Sequence, residues 1–507
     1  MTTSPPLYKS LYPIVEAFNR IDSRILIFLI LCFSKLSFIP DSNEEAYFAL
    51  AKQYIDPAWI PDSFSFTEWV GTRFLFQNIA GFFLQFLSFE QLTFWGRLLG
   101  FFALSFPLTL IFKELRIRNL GILLVLQIYI LKANTQHFFG QEWIFGDFEG
   151  KTFAYFFILY GYYFLLKSRY CFAALFAAIA SYFHILAGGW FFVLVFLFTF
   201  IRELNLKLSF RVGLIYVACV LPFIIYLGSY LSESGPVING VDIDWVYSFY
   251  RNTHHTAPMH TVDAMQYVFP RVVVSFILLL ISVFYLQKSE NTDIRKLNCI
   301  ATIALCMIFT GLIITCFDTN GHLLKYYLFR IAAIGAFTYY LIILLFLRES
   351  LDRRFNPALL RSIGMILLGI FFLYKAGTGI NRIVNPRQNT ALQELVTYVD
   401  NNTQPDDVFQ FIDKEEVSFS RKTRREVWVI FKFDPGGGEK IYEWYKRQRM
   451  REKLNENISF IDSITPEYRL DYLISPRPLE YKHLKEMFHN DKYYLYAIIK
   501  SEPLQDY

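Results

Sequence analysis

Eleven apolar runs punctuate the first 380 residues, near 24 to 40, 92 to 113, 118 to 136, 151 to 167, 170 to 187, 188 to 204, 209 to 230, 269 to 287, 297 to 317, 327 to 347 and 360 to 380. Each approaches the roughly 17 to 25 residues a helix needs to cross about 30 Å of hydrocarbon. Backbone inside lipid must satisfy its own hydrogen bonds, so runs of this length fold as helices packed into a bundle. Composition agrees: of 507 residues, 54% are hydrophobic and only 18% charged, unlike a soluble domain. A net charge of +5 on so long a chain carries no nucleic-acid signal. Cys32, Cys171, Cys219, Cys299, Cys306 and Cys316 lie in apolar runs without CxxC spacing, which argues against a disulfide framework or a zinc site. Lys9, Arg20 and Arg24 precede the first run and no small-residue cleavage site follows it, which predicts an uncleaved signal anchor.

Sidedness turns on "VGTRFLFQNIAGFFLQFLS", residues 70 to 88, which is apolar but carries Arg73, Gln77, Asn78 and Gln85. Left in the interface as an amphipathic helix, it places five basic clusters inside with the N-terminus: Lys113/Arg116/Arg118, Lys167/Arg169, Arg202/Lys207/Arg211, Lys288/Arg295/Lys296 and Arg348/Arg353/Arg354/Arg361. Counted as a span, it would flip all of them outside. The expected architecture is therefore an all-α polytopic bundle of about eleven transmembrane helices over 1–384. Its outer loops are 41–91, 137–150, 231–268 and 318–326, and all eight histidines fall at or beyond the outer face. From 385 to 507 the composition turns polar. A helix near 391–401, strands near 408–412 and 426–433, a helix near 439–455, a strand near 470–474, a helix near 478–488 and a strand near 493–499 predict a small extracytoplasmic α/β domain.

Several constellations could carry chemistry. After the first run, "DSNEEAYFALA" holds Asp41, Glu44 and Glu45: either an ordinary charged span end, or a general base whose carboxylate is tuned by partial burial. "GQEWIFGDFEGKTFAY" gathers Glu142, Asp147, Glu149 and Lys151 on the same expected face, with aromatic neighbours suited to stacking on a sugar; Lys151 can equally pair with an acid and cap the next helix. In "ASYFHILAGGWFF", Gly188 and Gly189 read as the tight turn of a helical hairpin, and His184 as a satisfied polar group or a ligand. His254, His255 and His260 in "RNTHHTAPMH" lack the spacing of a metal site, and 231–268 reads as a polar gating loop. Lys325 and Arg330 in "DTNGHLLKYYLFR" are outer cations that run against the charge bias; snorkelling anchors or a phosphate-bearing lipid explain them. Arg421, Arg424, Arg425 and Lys432 cluster in the tail, where Gly436 to Gly438 suit a plain strand-to-helix turn, since no GK[ST] follows.

These residues resemble the GT-C superfamily of integral-membrane glycosyltransferases, which use sugars carried on polyprenyl phosphate. The resemblance rests on the acidic pair of "SNEEAYFALA", two interfacial segments in the first outer loop, Arg97 in "FWGRLLGFFALSFPL", the acidic second loop and the tail domain. Within the superfamily the chain looks most like an uncharacterised bacterial branch with motifs similar to "EWIFGDFEGKTFAY", "FHILAGGW" and "RREVWVIFKFDP". The resemblance implies that Glu44 or Glu45 is the catalytic acid/base, that Glu142, Asp147 or Glu149 positions an acceptor or a cation, and that Arg330, helped by Lys325, binds phosphate. It leaves open whether a divalent cation (Mg or Mn) is needed. The implied partners are a polyprenyl-phosphate sugar donor, a glycan, lipid or protein acceptor, and the membrane: the plasma membrane of a bacterium, or the endoplasmic reticulum in a eukaryote.

The expected reaction is one inverting displacement, with Glu44 deprotonating the acceptor and Arg330 and Lys325 neutralising the departing phosphate. The rival is a polytopic transporter or flippase of a lipid-linked or small solute, which predicts charges deep in spans, interrupted helices and internal repeats. A scaffold that displays the tail domain is a third reading, and it leaves the acidic loops unexplained.

Overall fold

The computed structural model describes residues 6–66, 71–132, 135–231, 237–354, 357–386, 389–435 and 438–499. Its main helices are α1 (Pro6–Arg20), α2 (Ser23–Lys35), α3 (Ser42–Ile55), α4 (Phe74–Phe83), α5 (Phe89–Glu114), α6 (Asn119–Tyr129), α7 (Gly150–Leu166), α8 (Tyr170–Phe183), α9 (Ile185–Glu203) and α10 (Leu206–Leu231). They continue with α11 (Phe269–Phe284), α12 (Thr292–Phe317), α13 (Ala332–Arg354), α14 (Pro357–Val384), α15 (Thr390–Asn402) and α16 (Gly438–Glu456). Each of the eleven predicted runs coincides with a helix. Among the described residues, seven helices are long and apolar enough to cross a membrane, as expected of an integral membrane protein: 89–114, 185–203, 206–228, 264–288, 292–317, 332–350 and 361–384.

The other four runs form shorter helices: α2 has 13 residues, α6 has 11, α7 has 17 and α8 has 14. At 1.5 Å per residue, α6 reaches only about 16 Å, half the hydrocarbon thickness. The causes are local. Leu36 leaves α2 with extended backbone four residues before Pro40. Beyond α6, Thr135 Oγ1 donates to the carbonyl of Tyr129 at 2.8 Å, and Tyr129 Oη donates to that of Gln136 at 3.0 Å, folding the chain back. Irregular backbone of this kind is tolerated in a membrane protein where protein buries it, and Gln136 is 1% exposed.

The turn between α8 and α9 differs from the sequence expectation. Gly188 and Gly189 lie inside α9, and the break is at His184, whose Nδ1 accepts from Ala187 N at 3.3 Å and caps α9. Gly188 is needed for a close approach instead: a Cβ there would sit 2.5 Å from Ser181 N and 2.7 Å from Ala177 O. Small residues on the facing α8, Ala173, Ala174, Ala177 and Ala178, are all buried. That is how helices associate where lipid removes the hydrophobic drive and close packing supplies the attraction.

The chain divides into two compact units, one of Met1–Ile39, Thr93–Ser229 and Tyr247–Pro386, the other of Pro40–Leu92, Tyr230–Val246 and Arg387–Tyr507. The first is the helical bundle, with one continuous core through α2, α5–α9, α12 and α13. The second contains a five-stranded sheet of β1 (Val408–Phe411), β2 (Glu426–Val427), β3 (Tyr472–Ser475), β4 (Leu484–His489) and β5 (Tyr494–Ile498), in the order β2-β1-β3-β5-β4. The β1 strand pairs in parallel with β2 and β3, whereas β5 runs antiparallel to β3 and β4.

Two tail elements depart from expectation. Residues 478–488 were expected to be helical, but Leu484–His489 pairs with β5 as an edge strand; tertiary pairing overrides a weak helical period. Only the first two residues of 426–433 pair as a strand, because Phe431 N turns to the Glu415 carboxylate. Gly436 and Gly437 lie outside the described residues, as do 232–236 of the expected gating loop and 67–70 beside the expected interfacial helix. The rest of 231–268 is a short hairpin, 237–238 with 241–242, followed by short helical turns.

Candidate functional site

In the bundle unit, the residue the rest assemble around is Glu142, whose side chain is 1% exposed. Arg330 Nη1 donates to its Oε1, and Lys151 Nζ stands 3.4 Å from its Oε2. Each cation also lies on an aromatic face: Arg330 is 4.4 Å from the Tyr327 ring centroid and Lys151 is 4.4 Å from that of Trp143. His255 Nδ1 sits 3.6 Å from the same carboxylate and bonds to the Gly140 carbonyl. Burial alone would raise the Glu142 carboxyl; the Arg330 and Lys151 charges outweigh it and hold the group well below the usual carboxylate range. His255 is pushed the other way by burial, well below the ordinary imidazole value despite Glu142, and stays neutral.

The other acids each have separate work. Glu149 is the N-cap of α7, joined to Thr152 in a capping box, with Lys151 at 3.8 Å. Asp147 Oδ1 lies 3.4 Å from Arg97 Nη2, and Arg97 Nη1 donates to the carbonyl of Lys35 at the end of α2. Lys325 is half-buried with Nζ 5.6 Å from the Tyr326 ring centroid, and His184 is the α9 cap described above. The structure thus brings together Glu142, Glu149, Lys151 and Arg330, and separately Asp147 with Arg97. An Mg or Mn ion needs several hard oxygen donors converging on one point. Glu142, Asp147 and Glu149 each face a cation or a helix end instead, so this set does not suit a divalent ion.

Beside the cluster is a cavity of about 320 Å³, whose lining includes His137, Gln141, His254, Asp263, Tyr267 and Arg271. Arg271, in the first turn of α11, is half-buried and donates from Nη1 to His137 Nδ1 at 3.4 Å. Among the described residues, no carboxylate forms an ion pair with it. Burial, helped by the Arg271 charge, lowers the His137 imidazole to about 4, so it is a neutral acceptor at pH 7. The cavity lining carries exposed Val262 and Tyr267. Tyr267, with exposed Met265 and Phe269, lies in the first turns of the apolar stretch 264–288, whose 18-residue apolar window is only 11% buried.

Sequence reasoning passed over Arg271, although "YVFPRVVVSF" is also an outer cation at a span end by the expected topology. It also missed Gln136, whose amide holds the acidic loop by accepting from the backbone N–H groups of Ile144 and Phe145 at 3.1 and 3.0 Å and donating to the Phe145 carbonyl at 2.9 Å.

Glu44 and Glu45 lie in the second unit, in the first turn of α3. Glu44 is fully buried and its Oε2 accepts from Asp41 N at 2.9 Å, closing a capping box. Glu45 receives a bidentate pair from Arg421, with Nε to Oε2 at 2.7 Å and Nη2 to Oε1 at 2.8 Å, while Arg421 Nη1 reaches Glu90 at 2.8 Å.

Residues 390–451 match a family described as a domain of unknown function (DUF6798). No curated protein sequence matches the chain. Among solved structures, the chain is similar to ArnT from Cupriavidus metallidurans bound to undecaprenyl phosphate, at 10% identity over 97% of both chains with a TM-score of 0.44. It is also similar to ArnT from Cupriavidus metallidurans in the apo state, at 11% identity over 97% of both chains with a TM-score of 0.40.

Proposed function

We propose that the protein is an inverting membrane glycosyltransferase that moves a sugar from a polyprenyl-phosphate carrier to a glycan, lipid or protein acceptor at the extracytoplasmic face of a bacterial plasma membrane. The observation that carries this reading is Arg271, a half-buried guanidinium that lines a cavity and, among the described residues, forms no ion pair with a carboxylate. Burying a cation without a counter-charge is costly, and a planar guanidinium is matched to phosphate. The lining residues Val262 and Tyr267 adjoin an apolar helix that is largely exposed outside the bundle core and faces lipid in this reading. A phosphate carried on a polyprenyl chain meets both demands.

In this reading Glu44 takes the proton of the acceptor hydroxyl. The acceptor oxygen bonds to the anomeric carbon as the bond from that carbon to the phosphate oxygen breaks. The electron pair leaves on the lipid phosphate, whose charge Arg271 offsets. Arg330 has a different part from the one expected: its charge is matched by Glu142, and with Lys151 it holds the loop whose residues Phe138 to Gln141 wall the cavity.

The test uses the full chain in nanodiscs with radiolabelled polyprenyl-phosphate hexoses and pentoses. Wild type should release polyprenyl phosphate, and R271Q should release it about 100-fold more slowly, the scale of losing one charge-stabilising donor. Equal rates in the two would refute the phosphate role of Arg271, and full transfer by E44Q would remove the base assignment. One observation favours the transporter reading: the helix interruption at His184, inside an apolar stretch. Movement of a labelled lipid between leaflets without cleavage of its sugar–phosphate bond would replace the transferase.

A further inference from the structure

Within the second unit, the tail domain holds the N-terminus of α3 on both sides of Glu44. Lys432 Nζ donates to Asn43 Oδ1 at 2.6 Å. Arg421 grips Glu45 with two parallel hydrogen bonds, and its guanidinium lies 4.8 Å from the Phe89 ring centroid. Farther along the same loop, the Glu426 carboxylate of β2 accepts from Ser63 Oγ and from the backbone N–H groups of Phe64 and Ser65 at 3.1 and 3.3 Å. Phe66 packs edge-on against Phe433, with ring centroids 4.7 Å apart. Residues 43 and 45 are thus each tied to a tail-domain cation, and the residue between them is fully buried.

We infer that Arg421 and Lys432 are positioning residues for Glu44, which makes the tail domain an orienting part of the catalytic machinery; the inference rests on the reading of Glu44 as the base. The physical reason is geometric. Glu44 sits in the first helical turn, where a terminus frays and backbone N–H groups lack helical partners. Its capping box ties it to Asp41 within the same turn. A bidentate Arg–carboxylate pair sets direction as well as distance, and this pair at residue 45 together with the single Lys432 bond at residue 43 removes the rotation of the turn that would swing Glu44 away from an acceptor hydroxyl.

The experiment measures transfer from radiolabelled polyprenyl-phosphate sugars by the full chain in nanodiscs, together with hydrogen exchange at residues 42–47. R421A is expected to lower kcat about 100-fold, the scale of a misplacement of about 1 Å, while KM for the carrier sugar changes by less than about 3-fold. K432A is expected to lower kcat about 10-fold by losing one anchor. R421K should recover part of the R421A loss, because one donor returns without the bidentate geometry. Exchange at 42–47 should quicken in R421A and K432A while that of α15 is unchanged.

If R421A does not fold, K432A alone decides. If E44Q abolishes transfer while K432A keeps wild-type kcat and exchange, the positioning role is overturned and the base stands. If E44Q transfers normally, the base reading falls and the positioning role falls with it, whatever the exchange shows.

Discussion

Glu142→Gln separates a structural from a substrate-binding role for the acidic loop. The substitution keeps the shape of the side chain and removes one negative charge. Glu142 is 1% exposed, Arg330 9% and Lys151 7%, so both cations would be left buried beside a neutral amide. Breaking a buried pair from one side costs about 3–5 kcal/mol because the surviving charge is uncompensated. Each kcal/mol shifts Tm by about 2–4 °C in a domain of about 150–250 residues and by less in a larger one, so a fall of roughly 5–10 °C is expected. Thermal unfolding of the purified chain in one detergent, followed by tryptophan fluorescence, measures it. The double variant E142Q/R330M should regain part of the loss, since it removes the stranded guanidinium. A Tm within about 1 °C of wild type, with no difference between single and double variants, would refute the argument. Glu142 would then be a group whose charge serves a ligand, and lost transfer in a stable E142Q protein would be its signature.

Two further perturbations test the supports around the sites. Burial pushes the Glu426 carboxyl up to about 7 in spite of its hydrogen bonds from Ser63, Ser65 and Phe64. A folded value above the unfolded one means that this group's contribution is full below about 4.5 and is lost as pH rises through about 7; hydrogen exchange at 63–66 should quicken between pH 6 and 8 in wild type and stay flat in E426Q. Gln136→Ala leaves two backbone donors and one acceptor unpaired in the buried loop, at roughly 1–3 kcal/mol each. It should lower Tm and quicken exchange at 144 and 145, whereas Gln136→Asn should recover neither, its amide being one methylene too short.

The helical part of the fold was legible because span length and apolarity are dictated by lipid and require no knowledge of partners. What escaped was anything decided by a neighbour distant in sequence. The α6 run looks continuous to residue 136, and only Tyr129 and Thr135 reaching back across its end shorten it. Likewise "PLEYKHLKEMFH" has no clean period, and its pairing with β5 makes it a strand. Gly188 signals a special backbone requirement, but a close contact with α8 and a tight turn demand the same residue.

The charged residues show the same limit most sharply. The expected topology singles out Lys325 and Arg330 as cations on the wrong side for their charge, and Arg271 satisfies the same criterion. Position alone makes the three equivalent. They are separated by counter-charge: Arg330 meets Glu142 from 188 residues away, whereas Arg271, among the described residues, bonds to an imidazole that burial keeps neutral and forms no ion pair with a carboxylate. Glu44 and Glu45 form a second such set, adjacent and chemically alike in sequence. A guanidinium 376 residues away takes Glu45, and Glu44 closes a local capping box. The arginine that engages Glu45 is, in the proposed reading, what holds Glu44 in position as the base, and transfer by E45Q at a reduced kcat, with E44Q inactive, is the pattern that follows.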